Sequence, residues 1–338
     1  MTAPEVHPWN RSVWESLPPL AAMRPVMLLS GPAGTGKTAF ATALAHSLLC
    51  GQPAVDARAC GKCPACRLLL SGHHPDLRVL GGEDETDVEE GGEASGKARQ
   101  SRWIRVGSVR LLADFLAFSS HLGGRKVVVV EEADRLHPSA ANAMLKTLEE
   151  PPPRTYFLLV TGKPARLPAT VRSRCVRLPF QLPPAAVGID WLRGQGAQRP
   201  ELALAQTGNA PLTALALDRA DYWTMRDQVV ESVLRGEELD PVAAVDRMGQ
   251  DNVPLLVHAM QRWTYDLLSL ASQGPIRYNP DCAQILHRLA ARTPREALLR
   301  LMRQLNEVVR SIDHPLNARL FAQRCVFAYR AALRCREA

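Results

Sequence analysis

The sequence predicts an α/β fold, a parallel sheet covered by helices, followed by a region made of helices alone. Two observations lead to this prediction. Short apolar runs alternate with segments of helical periodicity up to Pro179, and the strand signals stop beyond that residue. The chain has 338 residues, of which 46% are hydrophobic and 22% charged, so disordered and fibrous classes are excluded.

The predicted sheet region opens with an apolar run at 27–30 that ends at Gly31 and indicates a buried strand. Phe40, Leu44 and Leu48 recur at helical spacing, which predicts a helix over 37–49. The run at 126–130 is typical of a central parallel strand that is buried on both faces. Further strands are expected at 103–106 and 155–161, and further helices at 66–70, 109–118, 138–149 and 168–174.

Beyond the sheet, the adjacent residues Pro183 and Pro184 indicate a hinge. We expect three domains: an α/β core over 1–178, a small helical domain over 179–218 and a larger helical domain over 219–338. An apolar stripe at helical spacing in the last of these domains predicts the core of a helical bundle. It consists of Leu298, Leu301, Met302, Leu305, Val308, Val309 and Ile312.

The net charge of +7 is unevenly distributed. The segment 81–100 holds seven acidic residues against Lys97 and Arg99, and its composition predicts a disordered surface insert. The basic remainder is compatible with nucleic-acid binding, but an ordinary Arg-rich surface explains it equally well, because only six of the 41 cations are lysine. No apolar run is long enough for a membrane span and no signal pattern opens the chain, so we expect a cytoplasmic protein.

Residues 31–38 match the phosphate-loop pattern G-x-x-x-x-G-K-[ST] at every fixed position. Glycines let backbone N–H groups converge on phosphate oxygens, the lysine reaches the terminal phosphates, and the threonine hydroxyl binds Mg²⁺. The residues concerned are Gly31, Gly34, Gly36, Lys37 and Thr38. With a strand before it and a helix after it, the motif predicts a site for ATP or ADP with Mg²⁺; the alternative is a chance match by a Gly-rich turn.

Two acidic residues, Glu131 and Glu132, follow the central strand. Phosphate-loop ATPases usually place an aspartate there to hold Mg²⁺, often followed by a glutamate that activates water. Glu131 therefore occupies the metal position with a longer side chain, Glu132 is the candidate base, and Asp134 is a nearby substitute. The alternative is that both glutamates merely end a buried strand at the surface.

Four cysteines, Cys50, Cys60, Cys63 and Cys66, have the spacing C-x9-C-x2-C-x2-C. This spacing brings four sulfurs within reach of one ion, which favours structural Zn²⁺. Iron–sulfur ligation, a disulfide pair and unliganded thiols are the alternatives. The nearby His73 and His74 are expected to be surface or packing residues, since four thiolates suffice. The remaining cysteines, which we expect to be small buried hydrophobic residues, are Cys175, Cys282, Cys325 and Cys335.

The string AANAMLKTLEEPP at 140–152, followed by Ser-Arg-Cys at 173–175, resembles the clamp-loader branch of the AAA+ ATPases. The cysteine module and the His-Pro-Asp sequence at 74–76 are similar to bacterial forms. Within that branch the chain resembles the delta-prime subunits of DNA polymerase III more than the gamma/tau motors. Its length, Glu131, and Gly-Asn-Ala-Pro-Leu at 208–212, where motors present a sensor arginine, favour this assignment. The intact phosphate loop favours the motor.

The resemblance implies an AAA+ nucleotide-binding core over 1–178 with an inserted zinc module at 50–66, a helical lid over 179–218 and a helical collar for oligomerisation over 219–338. It implies that Arg174 is an arginine finger acting in trans on a neighbour's ATP, and that Thr161 is a polar sensor near the γ-phosphate. It further implies a hetero-pentamer with gamma/tau and delta subunits, which opens the sliding clamp and places it on primed DNA. The residues alone leave open a solvated basic edge of Arg172, Arg174 and Arg177, and an ordinary strand cap at Thr161.

Two other functions remain open from the sequence. One is an ATP-hydrolysing motor of the same family. The other, from a different class, is a zinc-ribbon nucleic-acid-binding protein that uses ATP only as a ligand.

Overall fold

The computed structural model describes residues 4–81, 103–122, 124–231, 253–311 and 318–334. Nearly all of the predicted acidic insert at 81–100 lies outside these residues, as do Ile312 and Cys335. The chain divides into two compact units, Met1–Pro183 and Pro184–Ala338. A further division of the second unit into lid and collar stays a prediction.

The first unit contains a five-stranded parallel sheet, which confirms the predicted fold class. Its strands are β1 Val26–Ser30, β2 Leu77–Leu80, β3 Lys126–Val130, β4 Thr155–Thr161 and β5 Val176–Pro179, in the order β2-β3-β4-β1-β5. Ser30 at the end of β1 pairs with Thr161 at the end of β4. The carboxyl ends of three neighbouring strands, β3, β4 and β1, therefore meet at one edge of the sheet.

Helices cover both faces of this sheet. They are α1 Arg11–Glu15, α2 Lys37–Leu49, α3 Pro64–Leu70, α4 Val106–Ala117, α5 Pro138–Glu149 and α6 Ala169–Arg172. Successive strand residues point to opposite faces: Leu29 belongs to the cluster that contains Phe40 of α2, and Leu28 to the cluster that contains Met144 of α5. Burial on both faces explains why the central strands are continuous apolar runs.

Two of the sequence predictions for this unit need correction. The strand predicted at 103–106 is wrong: Ile104 forms a single bridge with Leu136, and α4 already begins at Val106. Strand β5 was not predicted, because it is an edge strand of four residues, three of them exposed, and has no apolar run. Helix α6 ends at Arg172, so Ser-Arg-Cys at 173–175 lies just past a helix end.

In the second unit, the described residues contain helices and no strand. The helices are α7 Ala185–Gly194, α8 Pro200–Gln206, α9 Pro211–Leu217, α10 Ala220–Val229, α11 Val253–Ala271, α12 Ala283–Ala290, α13 Arg295–Ser311 and α14 Ala318–Arg334. One apolar cluster surrounds Leu192 and Leu204, and a second surrounds Trp263 and Tyr329. Every fully buried residue of the predicted stripe, Leu298 among them, belongs to the second cluster, which confirms the bundle core. Across the described ranges, no helix is both long and apolar enough to cross a bilayer.

Candidate functional site

The phosphate-loop residues join β1 to α2 and depend on glycine at three positions. Gly34 and Gly36 have φ of 73° and 84°, the left-handed region that favours glycine. At Gly31, a Cβ atom would lie 2.2 Å from the carbonyl oxygen of Phe180, so no side chain fits. The loop therefore leads directly into the N-terminus of α2, where unpaired N–H groups favour an anion.

The segment before β1 packs against this loop, a contact that the sequence analysis missed. The Trp9 indole Nε1–H and the Asn10 side-chain amide both donate to the carbonyl oxygen of Thr35, at 2.9 and 2.8 Å. The His7 ring stacks on Trp9 and lies so close to Gly36 that a Cβ there would be 2.4 Å from His7 Cδ2. About two dozen residues separate the two segments, and no motif spans them.

Lys37 is almost completely buried within the loop that it follows. Its Nζ donates to the carbonyl oxygen of Pro32 and, at 3.3 Å, to Thr35 Oγ1. Burial lowers the pKa of Lys37 to about 8, although the nearby Asp134 carboxylate acts in the opposite direction. Thr38, next in the chain, is exposed. The ammonium group therefore has protein oxygens as partners in place of water, and phosphate oxygens would be equivalent acceptors.

Asp134 lies with Thr161 at the end of the sheet. The Thr161 hydroxyl donates to Asp134 Oδ1 at 2.6 Å and accepts from the Lys163 N–H at 3.0 Å. Because β3 and β4 are neighbours, the turn after β3 carries Asp134 to the end of β4. Lys37, Asp134 and Thr161 therefore form the polar centre of the site.

The two predicted acidic residues are arranged differently. Glu132 has φ of 49° and is 59% exposed, and its Oε2 accepts from Arg135 at 2.5 Å. Glu131 is half-buried; desolvation, and then the charge of Glu132, raise its pKa. Arg135 already occupies the Glu132 carboxylate, so this arrangement does not favour Glu132 as an activator of water.

Arg174 lies at the surface, just past α6, with 30% of its side chain exposed. Its Nη2 and Nε donate to Glu149 Oε2 at 3.0 and 3.3 Å, and its Nη1 donates to the carbonyl oxygen of Thr170 at 3.0 Å. On the same edge, Arg172 is turned toward the carbonyl oxygen of Pro164, and Arg177 is exposed. Of the three arginines, Arg174 is the one held by a carboxylate of another helix.

The cysteine cluster brings all four sulfurs within 4.8 Å of one another. The Sγ atoms of Cys50 and Cys63, and those of Cys60 and Cys66, are 3.9 Å apart. A tetrahedral site with zinc–sulfur bonds of about 2.3 Å has sulfur–sulfur edges of about 3.8 Å, whereas a disulfide would need about 2.0 Å. Backbone N–H groups of Lys62 and Cys63 lower the pKa of Cys60 to about 6, whereas desolvation raises the pKa of Cys50 and Cys66, so among these three it is Cys60 whose surroundings favour the thiolate form that binds metal.

The His-Pro-Asp turn beside the cluster has a structural role. His74 is buried, and its Nδ1 accepts the Asp76 N–H at 3.2 Å. Asp76 in turn accepts the N–H groups of His121 and Leu122 and the hydroxyl of Ser120, at 2.8 to 3.1 Å. These bonds fix the connection that leads into β3, and neither His73 nor His74 belongs to the sulfur cluster.

Comparison with known proteins identifies the family. A family model described as DNA polymerase III, delta subunit, matches residues 20–184. The DNA polymerase III subunit delta' of Pseudomonas aeruginosa is 38% identical over 270 residues, which are 78% of this chain and 77% of that protein. The DNA polymerase III subunit tau of Escherichia coli K12 is 34% identical over 168 residues, 50% of this chain and 23% of tau.

A solved structure shares the fold. It is a DNA polymerase III, gamma subunit-related protein from Thermotoga maritima, with a TM-score of 0.51, 17% identity, and coverage of 96% of this chain and 100% of that chain. The match to the Pseudomonas protein extends over three quarters of both chains, whereas tau is matched over less than a quarter of its own length. The resemblance found in the motifs is confirmed, and the chain belongs to the family of DNA polymerase III delta' subunits.

Proposed function

We propose that this chain is the stationary subunit of a bacterial clamp loader and that it supplies Arg174 to the ATP site of a neighbouring subunit during loading of the sliding clamp on primed DNA. The observation that carries this proposal is the setting of Arg174. Its guanidinium is held at the surface just past α6, is 30% exposed and already binds one carboxylate. A planar, permanently charged fork of this kind can stabilise the charge that develops on a γ-phosphate in transfer.

An Arg174→Ala variant in the complex with gamma/tau and delta subunits tests this proposal. We expect its DNA-stimulated ATP hydrolysis to fall by about 10³-fold at the site that depends on this subunit, because the finger contributes to transition-state stabilisation. Arg177→Ala, which removes an exposed arginine on the same edge, is the matched control. Unchanged ATPase and clamp loading by Arg174→Ala would contradict the finger role.

We further propose that the chain binds ATP or ADP with Mg²⁺ at its own phosphate loop and turns it over slowly if at all. Lys37 and the loop glycines would hold the phosphates, which supply the negative charge that the buried ammonium group requires. Asp134 and the Thr38 hydroxyl are the candidates for the Mg²⁺ shell. Slow turnover is supported by Glu132, which is exposed and paired with Arg135.

The intact loop also supports a second candidate function, that of an ATP-hydrolysing motor subunit. The two functions differ in a simple measurement, the turnover of ATP by the isolated chain together with the effect of Lys37→Ala inside the complex. A stationary subunit is expected to show ATP binding without appreciable turnover, and the complex should retain its ATPase in the variant. Rapid turnover by the isolated chain would favour the motor.

We propose that Cys50, Cys60, Cys63 and Cys66 hold a structural Zn²⁺. The 3.9 Å sulfur–sulfur distances and the N–H···S bonds support this assignment, and four thiolates leave no open position for catalysis. Metal analysis of the purified chain is expected to give one zinc per chain. Iron, or no metal, would contradict the proposal.

We propose, finally, that 179–218 form a lid and that 219–338 form a collar that assembles the chain with gamma/tau and delta subunits. The family membership supports such partners. Co-purification of a tagged chain from its own cells, with identification of the bound subunits, tests this assembly. Recovery of the tagged chain without any of them would contradict it.

A further inference from the structure

We propose that Glu149 is a positioning residue for Arg174: its carboxylate fixes the guanidinium so that the remaining N–H groups face the neighbour's γ-phosphate. This inference rests on the finger role proposed above. It concerns a residue at the end of α5, the helix that carries the Leu-Lys-Thr-Leu-Glu-Glu sequence. In the sequence, Glu149 is one residue of the family string at 140–152, which assigns it no role of its own.

The hydrogen bonds leave part of the guanidinium for a second partner. An arginine side chain has five N–H bonds: one on Nε and two on each Nη atom. In Arg174, the Nε–H and one Nη2–H donate to Glu149 Oε2, and one Nη1–H donates to the carbonyl oxygen of Thr170. One N–H remains on each Nη atom. Because the group is planar, the remaining Nη2 N–H lies on the edge it shares with Nη1, away from Glu149.

Glu149 lies on a rigid part of the fold, the end of α5. It is the last residue of α5, whose Met144 and Leu148 are buried against the sheet, and residues 151–153 are all proline. Proline fixes φ, so the chain after the helix has little freedom to move the helix end. The carboxylate is therefore a fixed point that can orient an arginine just past the end of another helix.

Stability does not explain this pair. The Arg174 and Glu149 side chains are 30% and 60% exposed, and exposed ion pairs contribute little to folding. A carboxylate in the last turn of a helix is moreover disfavoured by the helix dipole. The advantage left to this arrangement is a defined orientation of the guanidinium.

The experiment compares Glu149→Ala, Glu149→Gln, Arg174→Ala and the double variant in the reconstituted complex with gamma/tau and delta subunits. Steady-state ATP hydrolysis with clamp and primed DNA gives kcat and KM, and thermal melting of each variant chain monitors folding. We expect Glu149→Ala to lower kcat by about tenfold with KM unchanged, because misorientation affects the transition state more than ATP binding. Glu149→Gln keeps an acceptor oxygen and should lose less.

The double variant, with both Glu149 and Arg174 replaced by alanine, shows whether Glu149 acts through Arg174 or independently of it. If Glu149 acts through Arg174, the double variant should be no slower than Arg174→Ala. Glu150→Ala is the matched control, since the neighbouring Glu150 is exposed and its side chain has no hydrogen bond or ion pair with any residue described. It should leave kcat unchanged.

Two results would overturn the inference and can be told apart. If Arg174→Ala lowers kcat but Glu149→Ala does not, or the two losses multiply in the double variant, the positioning role is wrong and the finger role stands. If Arg174→Ala itself leaves kcat unchanged, the finger role is wrong and the inference falls with it.

Discussion

Two cations of the first unit, Lys37 and Arg174, differ in almost every physical respect. Lys37 is 6% exposed, is surrounded by the oxygens of its own loop, and has its pKa lowered to about 8. Arg174 is 30% exposed, is held by Glu149 at the outer surface, and has a group that stays charged at any physiological pH. In the proposed function, Lys37 binds the phosphates of a nucleotide held by its own chain, whereas Arg174 contacts the phosphates of a nucleotide held by a neighbouring subunit.

This difference teaches which amino acid suits which task. Desolvation lowers the pKa of a buried lysine, so part of the population can lose the proton while no ligand is bound. A lysine thereby avoids the free-energy cost of a permanently charged group that is buried without a partner. A surface cation that binds a phosphate of another subunit needs a fixed orientation more than a low desolvation cost. The planar guanidinium of an arginine has that orientation when a carboxylate already binds one side of it. Three predictions test this comparison.

The largest effect is expected from Arg174→Lys, which keeps the charge and removes the fork. If the direction of the cation matters more than its charge, ATP hydrolysis at the site that depends on this subunit should still fall by roughly 10²-fold, since an ammonium group cannot bind Glu149 and a phosphate in the same fixed plane. The measurement is the steady-state ATPase rate with clamp and primed DNA, with Arg177→Lys as control. A rate equal to that of the unsubstituted complex would show that a point charge suffices.

The second effect is a pH dependence at the phosphate loop. Lys37 has a pKa of about 8, so its protonated fraction falls about tenfold between pH 7 and pH 9. Because the protonated form binds the phosphates, the affinity of the isolated chain for ADP should weaken by about tenfold over this range. The unfolded chain binds more protons than the folded chain over this range and up to the ordinary lysine value of 10.5, so the contribution of Lys37 to stability rises as the pH rises.

Titration calorimetry at several pH values measures this affinity. Lys37→Ala should bind ADP weakly and with no change between pH 7 and pH 9. The finger should show no matching pH dependence, because arginine does not titrate there. An affinity that stays constant across the range would mean that the ammonium group is not the pH-sensitive partner of the phosphates.

The smallest effect is expected from Asp134→Asn. The amide oxygen still accepts from the Thr161 hydroxyl, but the charge is lost, so the Mg²⁺-dependent part of ATP affinity should fall by roughly threefold while binding without Mg²⁺ changes little. Glu132→Gln is the matched control, since Glu132 faces Arg135. An effect of Glu132→Gln larger than that of Asp134→Asn would show that Glu132, and not Asp134, is the acid on the Mg²⁺ side.

The sequence was sufficient to predict local structure where a local residue pattern has a single physical cause. The glycines of the phosphate loop, the cysteine spacing and the run of four valines in β3 each predicted the local structure that is observed. The edge strand β5 lacked such a pattern, because an edge strand that is exposed on most positions has no apolar run. The strand predicted at 103–106 was wrong for the opposite reason. These residues are apolar enough for a strand, yet only Ile104 forms a bridge, with Leu136.

The contacts that complete the site could not be predicted, because strand order brings them together. Asp134 meets Thr161 because β3 and β4 are neighbours, and Glu149 meets Arg174 because α5 and α6 pack on the same face. Asp134 and Thr161 share no sequence motif, and the family pattern that contains Glu149 and Arg174 does not show that their side chains meet. Knowledge of the fold was needed to see that Asp134, rather than Glu132, lies beside Thr161.

The contact of His7, Trp9 and Asn10 with the phosphate loop has a practical consequence for work on this chain. A purification tag or fusion partner joined to the chain close to His7 would lie beside the phosphate loop. A tag that disturbs Trp9 or Asn10 would free the Thr35 carbonyl and weaken nucleotide affinity without altering any residue of the loop. Binding measurements should therefore use a carboxyl-terminal tag or a cleaved protein.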